Sequence, residues 1–419
     1  MSTAELFPQS APALPEPSRQ AGLDRLEAFA PAMGRHYATQ RNFDFGPHDR
    51  ANVSGLSPHV RHRLVTEREL VQAALDHHGL QSAEKFIQEA VWRTYFKGWM
   101  EQRPSVWTEY RSGVERDVQA LERDGALRVR YETAVAGKTG LTCFDAWARE
   151  LVERGYLHNH ARMWFASIWV YTLDLPWRLG ADFFLRHLMD GDPASNTLGW
   201  RWVCGLHTPG KTYLARASNI NKYTGGRFQM AGYELASQAP PLDPDLVHPD
   251  PVAPPPGDRP DAEAPTLVLV HDEDGLAEDW GVDGLNVRAA AGLDSLTARS
   301  PLEPGVNARR FTRGAVQDAM ARAGDAFGVD AAAVDAEGLL DAARAAGASQ
   351  IVTQRPHAGP LRDRLEAQAQ ALKDAGVSLA MLKRDWDRTF HPFADKGFFK
   401  VKKKIPALLA ERGVRPRAD

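Results

Sequence analysis

The sequence predicts a mainly α chain, an all-helical half followed by a smaller α/β half with a parallel sheet. Three observations carry this. From about Gln20 to Phe228 apolar residues recur at helical spacing, as in "ARMWFASIWVYTLDL" and "ADFFLRHLM", with few β-branched alternations. Between Ser237 and Pro265 a run of prolines removes backbone donors and fixes φ, so neither a helix nor a central strand can pass through it. Beyond it, the short strand-like runs "TLVLVHDED", "GASQIVTQ" and "GVSLAMLKR" alternate with helical text such as "PLRDRLEAQAQALKDAG".

The elements follow in that order. Residues 1–30, opening "MSTAELFPQSAPALPEPSRQ", have no basic stretch leading into an apolar core, so they read as a flexible Pro-rich arm and not as a secretory signal. Residues 31–236 form the helical domain, 237–265 the linker and 266–419 the α/β domain; two domains are what 419 residues lead one to expect. With 43% hydrophobic and 25% charged residues, and no apolar run near the roughly 20 needed to span a bilayer, the composition is that of a soluble chain. The expected location is the cytoplasm, with no membrane partner. Two cysteines, Cys143 and Cys204, are too few for a disulfide scaffold or a four-thiolate metal site, and no metal is expected. A net charge of -3 excludes a uniformly basic nucleic-acid binder but is compatible with a local basic groove. No strand is followed by a GxGxxG or GxxxxGK[ST] phosphate fingerprint.

Chemistry concentrates in "LMDGDPASNTLGWRWV", Leu188 to Val203. Asp190 and Asp192 flank Gly191 in a predicted tight turn, with Asp192 capping a helix that Pro193 starts. A capped turn alone explains that much. The order Asp-Gly-Asp, Asn196, then Trp200 and Trp202 is more specific than a cap requires. Upstream, "GYLHNHARMWFAS" puts Asn159 and Arg162 three apart on an apolar helix, and a buried arginine needs a carboxylate such as Asp190. A third cluster, "FIQEAVWRTYFKGW", sets Glu89, Trp92 and Arg93 at i, i+3 and i+4, a triplet that purely structural helices also carry.

Together these clusters resemble the FAD-binding helical domain of the photolyase and cryptochrome family, over roughly Tyr37 to Phe228. The resemblance implies FAD as cofactor, with FADH- as the active form. "NVSGLS" then stands for the family's phosphate loop, with Ser54, Gly55, Leu56 and Ser57 on the diphosphate, although Val53 replaces the usual threonine. Tyr37 joins the cofactor set. Arg162 and Asp190 become the ion pair beside the flavin, Asp192 accepts a ring N–H, and Asn196 faces N5, where an amide is compatible with the anionic reduced ring. Glu89, Trp92, Asn159, Met163 and Trp202 match the pocket for a cyclobutane pyrimidine dimer flipped out of UV-damaged DNA. Arg93 and Arg216 are the candidate phosphate contacts. Trp200 and Trp177 match the proximal and middle members of a photoreduction chain, and no tryptophan follows Trp107 where the distal one is expected.

The α/β half, Rossmann-like in this reading, is similar to the later part of the family's antenna domain, including the tail "GFFKVKKKIP" at Gly397 to Pro406. Since that domain ordinarily precedes the helical one, its place here implies a circular permutation. Its opening F-R-x-D-L-R signature is not visible, which leaves a second, antenna chromophore open. The run "KVKKK" reads either as a DNA contact or as a solvated face. The function implied is light-driven splitting of pyrimidine dimers, a photo-lyase reaction. The alternative is a cryptochrome-like photoreceptor that photoreduces flavin and signals through a partner.

Overall fold

The computed structural model describes residues 13–416. The helical half contains α1 (Arg19–Phe29), α2 (Arg35–Gln40), α3 (Ser57–Arg61), α4 (Glu67–His77), α5 (Leu80–Glu101) and α6 (Pro104–Arg123). It continues with α7 (Gly125–Val135), α8 (Thr142–Arg154), α9 (Asn159–Ser167), α10 (Trp177–His187), α11 (Pro193–Val203) and α12 (Ala217–Tyr223). Their ends follow local chemistry. Thr66 and Glu69 close a reciprocal capping box on α4, and the Asp124 side chain accepts from two backbone amides at the start of α7. Of the expected N-terminal arm, residues 1–12 lie outside the described residues, while 19–29 form α1. Ser18 caps it, and Leu26 and Phe29 are buried in the helical core. That apolar spacing was present in the sequence but was outweighed by the flanking prolines.

Residues 237–265 contain no helix or strand. The α/β half then supplies β1 (Thr266–His271), β2 (Val287–Leu293), α13 (Val306–Phe327), β3 (Ala331–Ala333), α14 (Leu339–Ala345), β4 (Gln350–Gln354), α15 (Pro360–Asp374) and β5 (Ser378–Leu382). All pairings are parallel, in the order β3-β2-β1-β4-β5. Alternate residues of β1 feed opposite faces: Leu267 and Leu269 enter one apolar cluster, Val268 and Val270 the other. β1 and β4 were legible as β-branched runs, and β5 as the short apolar run "SLAML" between turn signals. β2 and β3 were not, because "VRAAAGL" and "AAA" carry alanines where a strand signal needs branched side chains.

The chain ends in α16 (Asp385–Phe390), α17 (Phe398–Lys402) and α18 (Ile405–Glu411). Trp386, Phe390, Phe398, Val401, Ile405 and Leu408 belong to the core of the helical half and not to either face of the sheet. The two halves are therefore tied at both the linker and the C-terminus. Among the described residues no helix is long and apolar enough to cross a membrane.

Candidate functional site

The Asp190-Gly191-Asp192 turn is fixed from three sides. Asp192 Oδ1 accepts from the Ser195 amide at 2.8 Å, as the predicted N-cap of α11. The Gly191 carbonyl accepts from Arg61 Nε at 2.8 Å, and Arg61 Nη1 donates onward to the Asp272 carbonyl at 2.7 Å. Arg162 of α9 reaches Asp190 Oδ2 at 2.8 Å, the pairing the sequence suggested. Arg162 and Arg50 both lie over the Tyr156 ring, 5.6 and 4.9 Å from its centroid, which limits where the Arg162 fork can point.

The two aspartates differ in what they leave free. Asp192 Oδ2 lies 3.2 Å from Lys97 Nζ and 3.4 Å from Arg93 Nη2. Burial pushes this carboxyl up, yet Lys97, Arg93 and Arg61 hold it well below the usual range. Both of its oxygens are thus engaged, as cap and as counter-ion, which leaves neither free for the flavin N–H expected of Asp192. Asp190 Oδ1 is buried with no partner, as are Ser57 Oγ at the start of α3 and Nε1 of Trp200. Unpaired buried polar atoms are costly, and the two in the predicted cofactor set, Asp190 Oδ1 and Ser57 Oγ, are what a polar cofactor would satisfy. Gly55 has φ of +67°, which L side chains rarely adopt, and it turns the Ser54–Ser57 loop into α3. The residues present fit FAD.

Other predicted residues separate into exposed and buried sets. Glu89 receives Arg41 Nη1 at 2.6 Å with its side chain 32% exposed; burial pushes its carboxyl up in spite of Arg41. Asn159 is exposed, and Met163, Trp202 and Tyr37 are half-buried. Trp202 packs against Tyr213 at 5.5 Å, and Tyr37 against Phe86 at 5.1 Å. Trp92 is half-buried, and Phe398 of α17 stacks on it at 3.7 Å and 14°, which takes one face of the indole. Arg216 is exposed at the start of α12. Arg93 turns inward to Glu67, Asp192 and the Arg61 carbonyl, so its assignment as a phosphate contact is corrected: its charge is already matched by buried carboxylates. Trp200 is buried on α11 against Phe184 and Trp169. A Cβ on Gly180 would lie 2.3 Å from its ring, so glycine is what lets α10, which starts at Trp177, approach that indole.

Behind the turn lies a buried ionic layer that sequence reasoning missed. Arg63 Nη2 bonds both oxygens of Asp387 at 2.7 Å and Nη1 meets Asp274 at 3.2 Å; Arg384 also reaches Asp274, at 2.6 Å. Lys97, fully buried, lies 3.2 Å from His357 Nδ1. His357, Asp387 and His391 could face one metal ion, but Arg63 and Lys97 already supply the positive charge there. The layer fills the ends of β1 and β4, the switch point where open parallel sheets usually take a ligand. A lone lysine in "YFKGW" was the available signal; of its partners, Asp192 lies in the helical half and His357 more than two hundred residues away. In "KVKKK", Lys400 pairs with Asp395 at 2.7 Å and Lys402 with Glu84 at 3.5 Å.

With this geometry in hand, comparison with known proteins finds that residues 86–228 match the family model "FAD binding domain of DNA photolyase". Over 157 residues the chain is 37% identical to a deoxyribodipyrimidine photo-lyase of Streptomyces griseus, covering 37% of this chain and 33% of that one. Over 213 residues it is 34% identical to a deoxyribodipyrimidine photo-lyase of Thermus thermophilus, covering 48% and 46%. A class III photolyase structure from Agrobacterium tumefaciens aligns with a TM-score of 0.39 at 26% identity, over 50% of this chain and 43% of that one. The chain thus spans between a third and a half of the length of these relatives.

Proposed function

We propose that this chain, whose residues 86–228 belong to the FAD-binding domain family of DNA photolyase, is a light-driven DNA repair enzyme that splits cyclobutane pyrimidine dimers. The observation that carries the reading is that the matched segment contains the Arg162–Asp190 pair, whose buried Asp190 Oδ1 still lacks a partner. Ser54 to Ser57, on a loop ending at a helix start, would hold the diphosphate, and Arg162, Asp190 and Asn196 the ring. Asn196 donates Nδ2 to the Ala181 carbonyl at 2.8 Å, which fixes the amide. Reduced FAD, when bound, supplies the electron that blue light releases to the dimer.

The chain's own residues receive and orient the substrate. The half-buried Trp92 and the Trp202–Tyr213 pair offer aromatic surface for two linked bases taken out of the stack, with the exposed Asn159 at the start of α9 and the half-buried Met163 one turn further on. Glu89, its carboxyl raised by burial, would share a proton with a thymine edge as charge develops there. Arg216 remains the candidate for the DNA backbone. We read the α/β half as the family's antenna-like lobe in permuted position, on the strength of its parallel sheet order and the C-terminal helices that return to the helical core.

One observation favours the cryptochrome-like alternative. Phe398 already covers a face of Trp92, and a photoreceptor that photoreduces flavin and signals through a partner needs no dimer pocket. Competition in the dark between dimer-containing and undamaged oligonucleotides for the FAD-loaded chain separates the two. Preference for the lesion is expected; equal affinity contradicts repair and supports signalling.

A further inference from the structure

We propose that Trp107 is the terminal hole acceptor of this chain's photoreduction path, reached from Trp177 across Tyr110 and trapped by proton loss to Asp363 of the α/β half. The inference rests on the flavin reading above. Tyr110 of α6 lies 5.8 Å from Trp177 and 5.5 Å from Trp107, ring centre to ring centre, so three aromatic rings run without a gap from the start of α10. Trp177 in turn precedes Gly180 by one helical turn, and Gly180 is where the Trp200 ring presses against α10.

Charges along this row give it a direction. Arg178 lies over the Trp177 ring at 5.2 Å and disfavours positive charge there. Trp107 Nε1 donates to Asp363 Oδ2 at 2.9 Å, and a carboxylate favours positive charge on the indole. Tyr110 Oη is buried with no partner, so an oxidised Tyr110 would have nowhere to leave its proton; it serves as a bridge and not as a stop. A side branch from Trp200 through Trp169 to Tyr131 ends badly by the same reasoning, because Arg186 Nη2 donates to Tyr131 Oη at 3.1 Å.

The step balances as follows. One electron leaves Trp200 for light-excited oxidised flavin, and electrons from Trp177 and then Trp107 refill the holes in turn. The Trp107 radical cation passes its Nε1 proton to the Asp363 carboxylate, which leaves a neutral indole radical. Asp363, which also accepts from Arg111 at 2.9 Å, is 33% exposed, and that exposure gives the proton a way out to solvent. A thiol reductant returns one electron and one proton to Trp107. The Asp363 contact makes docking of the α/β half a condition for trapping.

The test uses the full chain with oxidised FAD bound, and the variants Trp107→Phe, Asp363→Asn and Tyr131→Phe, each checked for flavin content. Flash absorption should show loss of the long-lived tryptophan radical in Trp107→Phe, persistence of the radical cation form in Asp363→Asn, and no change in Tyr131→Phe. Peptide mapping after illumination in air without thiol should place oxygen adducts on Trp107. A Trp107→Phe chain with wild-type radical lifetime, or adducts on Tyr131 and not Trp107, overturns the path. Unchanged deprotonation in Asp363→Asn overturns the trap. A wild-type chain without flavin overturns the reading on which both rest.

Discussion

Arg63 offers the sharpest stability test, because its backbone and its side chain pull in opposite directions. Its φ of +48° places a non-glycine residue in the left-handed region, at a cost of about 1–2 kcal/mol. What holds it there is a guanidinium 3% exposed, hydrogen-bonded to Asp387 and Asp274 and ion-paired with Glu67 at 3.6 Å. Removing one partner of a buried pair typically costs about 3–5 kcal/mol, since the other charge is left without compensation. Arg63→Ala strips a shared cation from three carboxylates and keeps the strain, so it belongs at the upper end of that range. Arg63→Gly removes the same charge but relieves the strain, while extra freedom in the unfolded chain takes back about 0.4–1 kcal/mol. The glycine variant should therefore retain roughly 1 kcal/mol more than the alanine variant. Urea unfolding of the full chain, followed by far-UV circular dichroism and tryptophan fluorescence, reads both. Equal losses in the two variants would refute the strain, and a loss below about 1 kcal/mol in either would refute the ionic clamp.

Phe398→Ala should loosen the C-terminal helices by about 3–5 kcal/mol, because a buried ring that backs Trp92 is deleted, and limited proteolysis should then cut after Lys400 or Lys402 sooner than in the wild type. Arg162→Ala should weaken FAD retention by about 2 kcal/mol, or roughly 30-fold in dissociation constant, with Arg162→Lys in between because it keeps charge without the fork; equilibrium dialysis measures this. Stability should fall in acid in two stages. Burial holds His391 down to about 4, so the unfolded chain takes up its proton first, and stability declines as pH drops from 6.5 toward 4, by about 3 kcal/mol for this residue alone. Asp272, Asp274 and Asp387 are raised by burial but held below 3.8 overall by Arg299, Arg384 and Arg63 respectively, and their contribution is lost only below that pH. Thermal melts from pH 8 to pH 3 should show both stages, and a flat profile above pH 4 would contradict the buried neutral histidine.

How much of this was legible in the sequence depends on how local the cause is. The Asp192 cap, Pro193 at the start of α11 and the Arg162–Asp190 pair were readable, since a cap is set within three residues and an apolar helix with one arginine advertises its need for a carboxylate. β1 and β4 announced themselves through β-branched residues and β5 through a short apolar run, whereas alanine-rich β2 and β3 take their conformation from their neighbours in the sheet. Arg93 misled because a helical face does not say whether it looks outward or toward buried carboxylates of the same half, here Glu67 and Asp192. Likewise, nothing near Trp92 reveals that Phe398, some three hundred residues on, will cover it. The ionic layer of Arg61, Arg63 and Lys97 exists only once the halves dock, and the sequence gives no separate signal for docking.

The most direct test of the proposed function is to illuminate the reduced, FAD-loaded full chain with blue light in the presence of an oligonucleotide carrying one cyclobutane thymine dimer, and to count dimers against a dark control. The account predicts loss of the dimer in the light alone, with undamaged thymines as the product. A chain that holds flavin and photoreduces it, yet leaves the dimer intact on both single-stranded and duplex DNA, would contradict repair.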